Sequence, residues 1–202
     1  MQKSMPDNCI TARWAADELE ARVRELEKRK AQVLVALDGR CASGKTTLAG
    51  LLGQRLSCEI VHMDDFFLRQ EQRTKERLSV PGGNIDAERF LAEVMKPLRE
   101  GKGVSYRPYD CHVGAFKEPV LLKKAKTVIV EGAYSCRPDF WEFYDLHVFL
   151  TVNPEVQKKR IVARNGEDAA KRFTERWIPL EEYYIQTYDI KERCELCYRL
   201  HG

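Results

Sequence analysis

The sequence lacks any hydrophobic run long enough to cross a membrane. No stretch of its 202 residues approaches the ~20 consecutive apolar residues that a spanning helix needs, and residues 1–10 lack the basic and apolar regions of a signal peptide. An excess of one charge is also missing, because 34 basic and 31 acidic residues leave a formal net charge of only +3. These absences argue against a membrane or nucleic-acid partner and predict a cytoplasmic protein.

A disulfide framework or a complete zinc motif is missing as well. The seven cysteines are an odd number. Four fall singly in or beside apparent strands: Cys41, Cys58, Cys111 and Cys136. Cys194 and Cys197, with His201 nearby, have half the spacing of a zinc site, but no second pair lies at comparable spacing. Free thiols are therefore expected, including two in the C-terminal segment.

Short apolar runs alternate with helical patterns along the chain. The strand-like runs are Val33 to Leu37, Glu59 to His62, Thr127 to Val130 and His147 to Thr151. Apolar residues recur at helical spacing in 45–56, 86–98, 154–164 and 174–188. This alternation predicts an α/β fold with a central parallel sheet of about five strands and helices on both faces.

The predicted organisation has three parts. Residues 1–30 form an N-terminal extension with an amphipathic helix that Thr11 could cap. The apolar face of this helix is expected to pack on its own domain, and binding to a partner is the alternative. Residues 31–190 form one domain, and residues 191–202 form a C-terminal tail, as suits a chain of 202 residues.

Residues 39–46 match the pattern G-x-x-x-x-G-K-[ST], with an apolar strand before them and a helix after them. Glycines let successive N–H groups point at one anion, and the helix N-terminus adds positive partial charge. The alternative is a glycine-rich turn without a ligand. We expect Lys45 to contact the β- and γ-phosphates of a nucleotide and Thr46 to bind Mg²⁺. The predicted nucleotide-binding positions of the loop are Gly39, Arg40, Cys41, Ala42, Ser43, Gly44, Lys45, Thr46 and Thr47.

Acidic residues follow two other strands. Asp64 and Asp65 come after the second strand, and Glu131 ends the third. Ligands of open α/β sheets bind at the carboxyl ends of the strands, so these carboxylates are expected beside the phosphate loop. Asp64 is the predicted catalytic base, and Glu131 joins Thr46 as a predicted magnesium-side residue. A turn or capping role is the alternative for the aspartates, and ordinary surface exposure is the alternative for Glu131.

Three features resemble one known family: the strand with residues 39–47, the run MDDFF at 63–67, and the Glu131-Gly132 pair. They are similar to the uridine kinase and nicotinamide riboside kinase branch of P-loop small-molecule kinases, over about residues 33–184. The resemblance implies a P-loop NTPase fold and transfer of a phosphoryl group from ATP, with Mg²⁺, to a hydroxyl of a small molecule. It implies a nucleoside acceptor, phosphorylated at its 5′-hydroxyl. In that family the aspartate matching Asp64 is both the catalytic base and a magnesium-side carboxylate, and the aromatic pair behind it lines the acceptor pocket.

Acceptor contacts are predicted in three segments. Asp86 caps a helix and also matches a ribose-contacting aspartate of uridine kinase-like proteins. The stretch 106–112 is similar to the Pro-x-Tyr-Asp segment of uridine kinases and offers ring faces for stacking. An exposed hairpin without a ligand is the alternative. The predicted acceptor-binding residues are Asp65, Phe67, Asp86, Tyr109 and His112. Uridine, cytidine, nicotinamide riboside and a vitamin precursor all remain open as acceptors.

Arginines follow the fourth strand. Arg160 and Arg164 lie four residues apart and therefore on one helix face, and Arg172 comes later. The resemblance implies that they belong to an arginine-rich lid that closes over ATP, with Arg164 catalytic and the other two contacting the nucleotide. A solvated basic face is the alternative, and it is the expectation for Arg176.

Two other functions are compatible with a phosphate loop. One is a nucleotide hydrolase or switch protein, although the sequence lacks the Asn-Lys-x-Asp element of guanine-binding switches. The other is a regulatory module that binds nucleotide without turnover. The presence of Lys45, Thr46, Asp64 and Glu131 together favours a kinase, because binding alone does not require a base. The choice between ATP and GTP, and the existence of a homo-oligomer, stay open.

Overall fold

A five-stranded parallel sheet organises the protein, whose computed structural model describes residues 10–201. The strands, in chain order, are β1 (Val33–Gly39), β2 (Glu59–His62), β3 (Val104–Tyr106), β4 (Tyr109–Asp110), β5 (Ala115–Phe116), β6 (Val120–Leu122), β7 (Thr127–Glu131), β8 (Leu146–Thr151) and β9 (Leu196–Arg199). The central sheet has the order β2-β7-β1-β8-β9, and its strands are parallel throughout. Two small antiparallel pairs, β3 with β6 and β4 with β5, lie apart from it. The predicted fold class is confirmed.

The helices connect these strands. They are α1 (Ala12–Glu27), α2 (Lys45–Leu56), α3 (Lys75–Ser79), α4 (Ala87–Phe90), α5 (Lys96–Arg99), α6 (Pro138–Trp141), α7 (Pro154–Asn165), α8 (Glu167–Arg172), α9 (Ile178–Thr187) and α10 (Ile190–Arg193). A π-helical segment, Leu91–Met95, joins α4 to α5, and another, Phe173–Trp177, joins α8 to α9. Short 3₁₀ turns lie at Met63–Phe66 and Gln70–Gln72. The four helices predicted between the strands are therefore present.

The central sheet is buried on both faces. Alternate residues of a strand point to opposite faces, and in β1 Val35 and Leu37 pack toward α1 and α2. Leu34 and Ala36 belong to the second core, which includes Phe90. Because both faces are covered, the central strands are almost entirely apolar, as the sequence pattern indicated.

Both ends of the described chain are integrated into the domain. Thr11 caps α1 by accepting a hydrogen bond from the N–H of Trp14, and α1 buries Leu19 and Val23 in the core. The segment predicted as a tail contributes β9, which pairs in parallel with β8 and buries Tyr198. The predicted C-terminal tail is therefore part of the domain as far as residue 201. Strand β9 is four residues long and lies at one edge of the sheet, and β2, of the same length, lies at the other edge. Residues 1–9 and 202 lie outside the described part of the chain.

Membrane-spanning helices, free thiols and metal-binding groups were also sought among residues 10–201. None of the helices in residues 10–201 has the length and hydrophobicity that crossing a bilayer requires. Five cysteines are free thiols: Cys41, Cys58, Cys111, Cys136 and Cys194. Between residues 10 and 201 no group of three or more histidine, cysteine or acidic side chains is placed to hold a metal ion by itself. The half zinc motif therefore gains no further ligands there.

Candidate active site

A cavity of about 910 Å³ opens at the carboxyl ends of the central strands. The loop after β1, the turn after β2 and the end of β7 all contribute to its wall. The cavity brings together many of the residues predicted from the sequence: Cys41, Ala42, Ser43, Gly44, Lys45, Thr46, Thr47, Asp64, Phe67, His112, Glu131, Arg160, Arg164 and Arg172. The predicted residues Gly39, Arg40, Asp65, Asp86 and Tyr109 are absent from this wall.

The phosphate loop, residues 39–46, has a backbone shape that depends on glycine. Gly39 has a φ of +137°, and a Cβ there would lie 2.0 Å from the Leu150 carbonyl oxygen. Gly44 has a φ of +101° immediately before α2 begins at Lys45. The Lys45 ammonium donates hydrogen bonds to the carbonyls of Gly39 and Arg40, at 2.8 and 2.9 Å. The loop therefore wraps around its own lysine at the N-terminus of a helix, where anions are favoured.

The loop has unfilled hydrogen-bonding capacity that suits phosphate. Ser43 is fully buried, and its hydroxyl has no hydrogen-bond partner among residues 10–201. A buried hydroxyl without a partner is unusual in proteins, since leaving one unsatisfied costs free energy. Ser43, Gly44 and Lys45 all line the cavity. Phosphate oxygens are acceptors that such a concave set of donors can bind.

Glu131 connects three elements at the edge of the cavity. Its carboxylate is buried, and its Oε1 accepts a hydrogen bond from the Thr46 hydroxyl at 3.1 Å. The same oxygen lies 2.6 Å from Nδ1 of His62, at the end of β2. Mg²⁺ prefers oxygen ligands and is usually held by one or two carboxylates together with substrate phosphates and water. The oxygens of Thr46, Glu131 and the nearby Asp64 fit such an ion, and a dedicated cage of protein ligands is not needed.

Asp64 and Asp65 have different surroundings although they are neighbours in sequence. Asp64 lines the cavity. Asp64 is an exposed residue, but partial desolvation by the surrounding protein still raises the pKa of its carboxyl group, while Lys45 lowers it and Glu131 raises it further. Asp65 instead accepts a hydrogen bond from the Tyr106 hydroxyl at 3.1 Å. Asp65 thus has a contact within the protein and is absent from the cavity wall.

Arginines from α7, α8 and the following π-helical segment cover one side of the cavity. Arg160 donates hydrogen bonds to the carbonyls of Ala42 in the phosphate loop, at 2.8 Å, and of His201, at 2.5 Å. Arg164 and Arg172 line the cavity as predicted from their order along the chain. Arg176 is exposed, as expected for a solvated basic residue, and it also lines the cavity.

Two residues that were predicted to contact the acceptor have side chains that bind other parts of the protein. Asp86 is buried and caps α4 by accepting from the N–H of Arg89, and its other oxygen accepts from the Gln72 amide at 2.9 Å. Tyr109 is buried and packs edge-on against Phe116, with ring centroids 5.5 Å apart. Sequence matching correctly located their segments near the cavity, but it could not show that tertiary contacts use these side chains.

Several cavity residues were missed as site residues by the sequence reasoning. They are Arg73, Asn84, Cys111, Tyr134, Trp177 and Glu181. Tyr134 lies three residues after Glu131, and this closeness to a strand-end acid could have identified it as a site residue. Glu181 had no such signal, because it lies in a helix far along the chain and reaches the loop only through tertiary packing.

Asp38, the residue before the loop, was also missed. It is 1% exposed and accepts four hydrogen bonds, from the N–H groups of Gly39, Tyr134 and Cys136 and from the Tyr184 hydroxyl. A carboxylate that accepts four bonds fixes the groups around it. Asp38 therefore ties the phosphate loop to the turn after β7 and to α9.

Known proteins that resemble this chain were found by sequence and by structure. No family model matches it. A Schizosaccharomyces pombe protein named "Putative uridine kinase" is 30% identical over 175 residues, which cover 74% of this chain and 73% of that protein. Cytidylate kinase of Pyrobaculum arsenaticum is 29% identical over 168 residues, which cover 79% of this chain and 78% of that protein.

Two solved structures share the fold. A Bacillus stearothermophilus protein described as a possible uridine kinase has a TM-score of 0.63 at 21% identity, covering 90% of this chain and 99% of its own. YFH7 of Saccharomyces cerevisiae has a TM-score of 0.66 at 14% identity, covering 96% of this chain and 100% of its own. The structures support the fold, and the sequence relatives add the kinase activity named for them. The chain belongs to the uridine kinase-like family of P-loop kinases.

Proposed function

We propose that this kinase transfers the γ-phosphoryl group of ATP, bound with Mg²⁺, to a hydroxyl of a small molecule, and that the acceptor is a nucleoside phosphorylated at its 5′-hydroxyl. The observation that carries the proposal is the shared cavity, in which Asp64 lies with Lys45 and Thr46 of the phosphate loop. A phosphate cradle and a carboxylate in one cavity are the two parts that direct phosphoryl transfer to a hydroxyl requires. The name of the Schizosaccharomyces pombe relative supports a nucleoside as the acceptor.

The residues around the loop have separate roles in the proposed reaction. The loop amides and Lys45 hold the phosphates of ATP in place. Thr46 and Glu131 supply oxygens on the metal side of the site. Magnesium, when bound, offsets the negative charge of the phosphates.

The other side of the cavity prepares the acceptor. Asp64 orients the acceptor hydroxyl and accepts its proton as the new bond forms. Its raised pKa makes it a better proton acceptor than an ordinary aspartate, because a carboxylate that binds protons more tightly is a stronger base. Arg164 and Arg172, which line the cavity from the lid side, stabilise negative charge on the transferred group.

The cavity extends beyond the phosphate loop, and this extension favours a kinase over a nucleotide hydrolase. Phe67, Arg73, Cys111 and His112 line the same cavity as Asp64, and the Cys111 thiol is close enough for the Asp64 charge to raise its pKa. A hydrolase needs only a water molecule there, whereas a kinase needs room, apolar surface and polar groups to bind an acceptor. A non-nucleoside acceptor such as a vitamin precursor is the second candidate, because the predicted ribose contact, Asp86, is used within the protein.

The test is a coupled assay of ADP formation with MgATP and a panel of acceptors. The panel contains uridine, cytidine, nicotinamide riboside and pantothenate, and each reaction is compared with one that lacks an acceptor. Nucleoside-dependent ADP formation, with a 5′-monophosphate as product, is expected. Phosphate release at one rate regardless of acceptor would identify a hydrolase, and turnover with pantothenate alone would replace the nucleoside.

A further inference from the structure

Helix α9 contacts the phosphate loop through two successive acidic residues. Glu182 forms hydrogen bonds of 2.5 and 2.8 Å with the Arg40 guanidinium. Glu181, one residue earlier, accepts a hydrogen bond of 2.8 Å from the main-chain N–H of Cys41. Glu182 is thus neutralised by an arginine, whereas Glu181 binds a main-chain donor.

Glu181 is unusual because it is an acid buried in a phosphate-binding cavity. Its side chain is only 7% exposed, and it lines the same cavity as the phosphate loop. Among residues 10–201 it forms no ion pair within 4.0 Å. A buried carboxylate without a paired cation is costly, and bringing a second anion close to it increases that cost.

The groups that face Glu181 come from four elements. Lys45 at the start of α2 favours its charged form, as do hydrogen bonds from the Cys41 amide and from the Cys41 thiol, while Asp38 at the end of β1 disfavours it. The Tyr134 phenol after β7 is close enough for the Glu181 charge to raise its pKa. Burial is the largest influence, and it raises the pKa of Glu181 to about 7. The balance between the charged and neutral forms of Glu181 therefore lies near neutrality.

A nucleotide changes that balance in one direction. Its phosphates bring negative charge into the loop, and they draw on Lys45, the cation that helps to keep Glu181 ionised. Both effects favour the neutral carboxyl group. We propose that Glu181 takes up a proton from solvent when the phosphates of a nucleotide enter the loop, so that nucleotide binding is coupled to protonation of one buried acid.

The proposal makes Glu181 a positioning residue with a defined effect on affinity. It rests on nucleotide binding at the loop, which the proposed function also requires, but not on the identity of the acceptor. When pH lies well below 7, Glu181 is already neutral and binding takes up no proton there. Above pH 7, binding must include protonation, so affinity falls by up to about tenfold for each pH unit.

The experiment is isothermal titration calorimetry of the full chain with MgATP and no acceptor, at pH 6 and pH 8, in two buffers that differ in ionisation enthalpy. The difference between buffers gives the number of protons taken up. We expect close to one proton at pH 8 and close to none at pH 6. Binding at pH 8 without proton uptake would overturn the inference, whether or not any variant folds. Absence of MgATP binding at both pH values would overturn the proposed function together with this inference.

Two matched variants locate the proton. Glu181→Gln keeps an oxygen that accepts from the Cys41 amide but cannot titrate, so the uptake at pH 8 should disappear and the affinity there should rise about tenfold. Glu182→Gln breaks the adjacent ion pair with Arg40 and should leave the proton uptake unchanged. Unchanged uptake in Glu181→Gln would assign the proton to another group and overturn the inference.

Discussion

Glu131 and His62 are joined across two neighbouring parallel strands by a contact of 2.6 Å between Oε1 and Nδ1. The same carboxylate oxygen also accepts from the Thr46 hydroxyl. The hydrogen bond to Glu131 is the main reason that the pKa of His62 is raised, and burial opposes it. An acid on the metal side of the site is therefore held partly by a histidine that can titrate.

This pair should make stability depend on pH. Because the folded pKa of His62 is raised, the stabilisation is fully present below about pH 6.5, the ordinary histidine value, and is lost as pH rises through the folded value. His62→Gln should thus lower the free energy of unfolding more at pH 6 than at pH 9. The difference should be at most about 1 kcal/mol, since water screens a half-exposed pair.

Urea unfolding of both proteins at the two pH values measures this difference. His112→Gln is the matched control, because the His112 side chain forms no ion pair in the described part of the chain and also lines the cavity. It should show no such pH-dependent loss. A His62 that titrates at or below pH 6.5 in an NMR titration would contradict the prediction.

Replacing the proposed base should separate chemistry from nucleotide binding. Asp64→Asn should keep the affinity for MgATP within about twofold and reduce kcat by about 10²–10⁴, the usual contribution of a general base. Asp65→Asn is the matched control. Asp65 bonds Tyr106 and is absent from the cavity wall, so its loss should change kcat little. Steady-state kinetics and calorimetry give both numbers, and a wild-type rate in Asp64→Asn would remove this residue from the mechanism.

The sequence predicted the central part of this site because its signals are local. The loop around Gly44 and Lys45 is one continuous segment, and Asp64 and Glu131 follow apolar strands. Strand ends in a parallel sheet meet at one edge, so the order along the chain was enough to bring these residues together. The same reasoning identified four of the five strands of the central sheet. Strands β1, β7 and β8 are largely apolar because they are buried on both faces, and the edge strand β2 contains Ile60 and Val61.

Contacts made only by tertiary packing were not predictable in this way. Glu181 reaches the Cys41 amide across 140 residues of sequence, and no motif marks it. Asp86 matched a substrate-binding position, but the structure uses both of its oxygens for a helix cap and for Gln72. Strand β9 was also not predicted, although three of its four residues are apolar. A pattern reports which residue types are present, and packing decides which of them remain available for a ligand.

Arg73 should affect the acceptor and not the nucleotide. It lines the cavity beside Cys111 and forms no ion pair among residues 10–201, whereas its neighbours Arg69 and Arg77 each pair with a glutamate. Its guanidinium donates to the Leu68 carbonyl, with a longer contact of 3.5 Å to the Cys111 thiol. Arg73→Ala should therefore raise the KM of the acceptor about tenfold or more, the usual cost of losing a hydrogen bond from a charged group.

The control for Arg73→Ala is Arg69→Ala, which removes the surface ion pair between Arg69 and Glu71. An ion pair of this exposure contributes little, so both KM values should stay within about twofold of wild type. Initial rates with each substrate varied in turn provide the measurement. An Arg73→Ala variant whose KM for MgATP rises as much as its KM for the acceptor would assign the residue to the nucleotide side.

Asp38 should be the residue near the loop on which folding depends most. Each of its two oxygens accepts two hydrogen bonds, and the donors are three main-chain amides and the Tyr184 hydroxyl. Asp38→Asn keeps the size of the side chain but replaces one oxygen with an NH₂ group that faces donors. It should lower the free energy of unfolding by about 2–3 kcal/mol, because buried donors lose their acceptor.

Tyr184→Phe isolates one of these four bonds. It removes only the hydroxyl that donates to Asp38 at 2.7 Å, and it should cost about 1 kcal/mol. Urea unfolding of the two variants and the wild type tests the order of the effects. If Asp38→Asn is no less stable than Tyr184→Phe, the main-chain amides of the loop and of the turn after β7 do not depend on the carboxylate. A larger loss in Asp38→Asn shows that the same acid that orders the phosphate loop also holds the turn that follows Glu131.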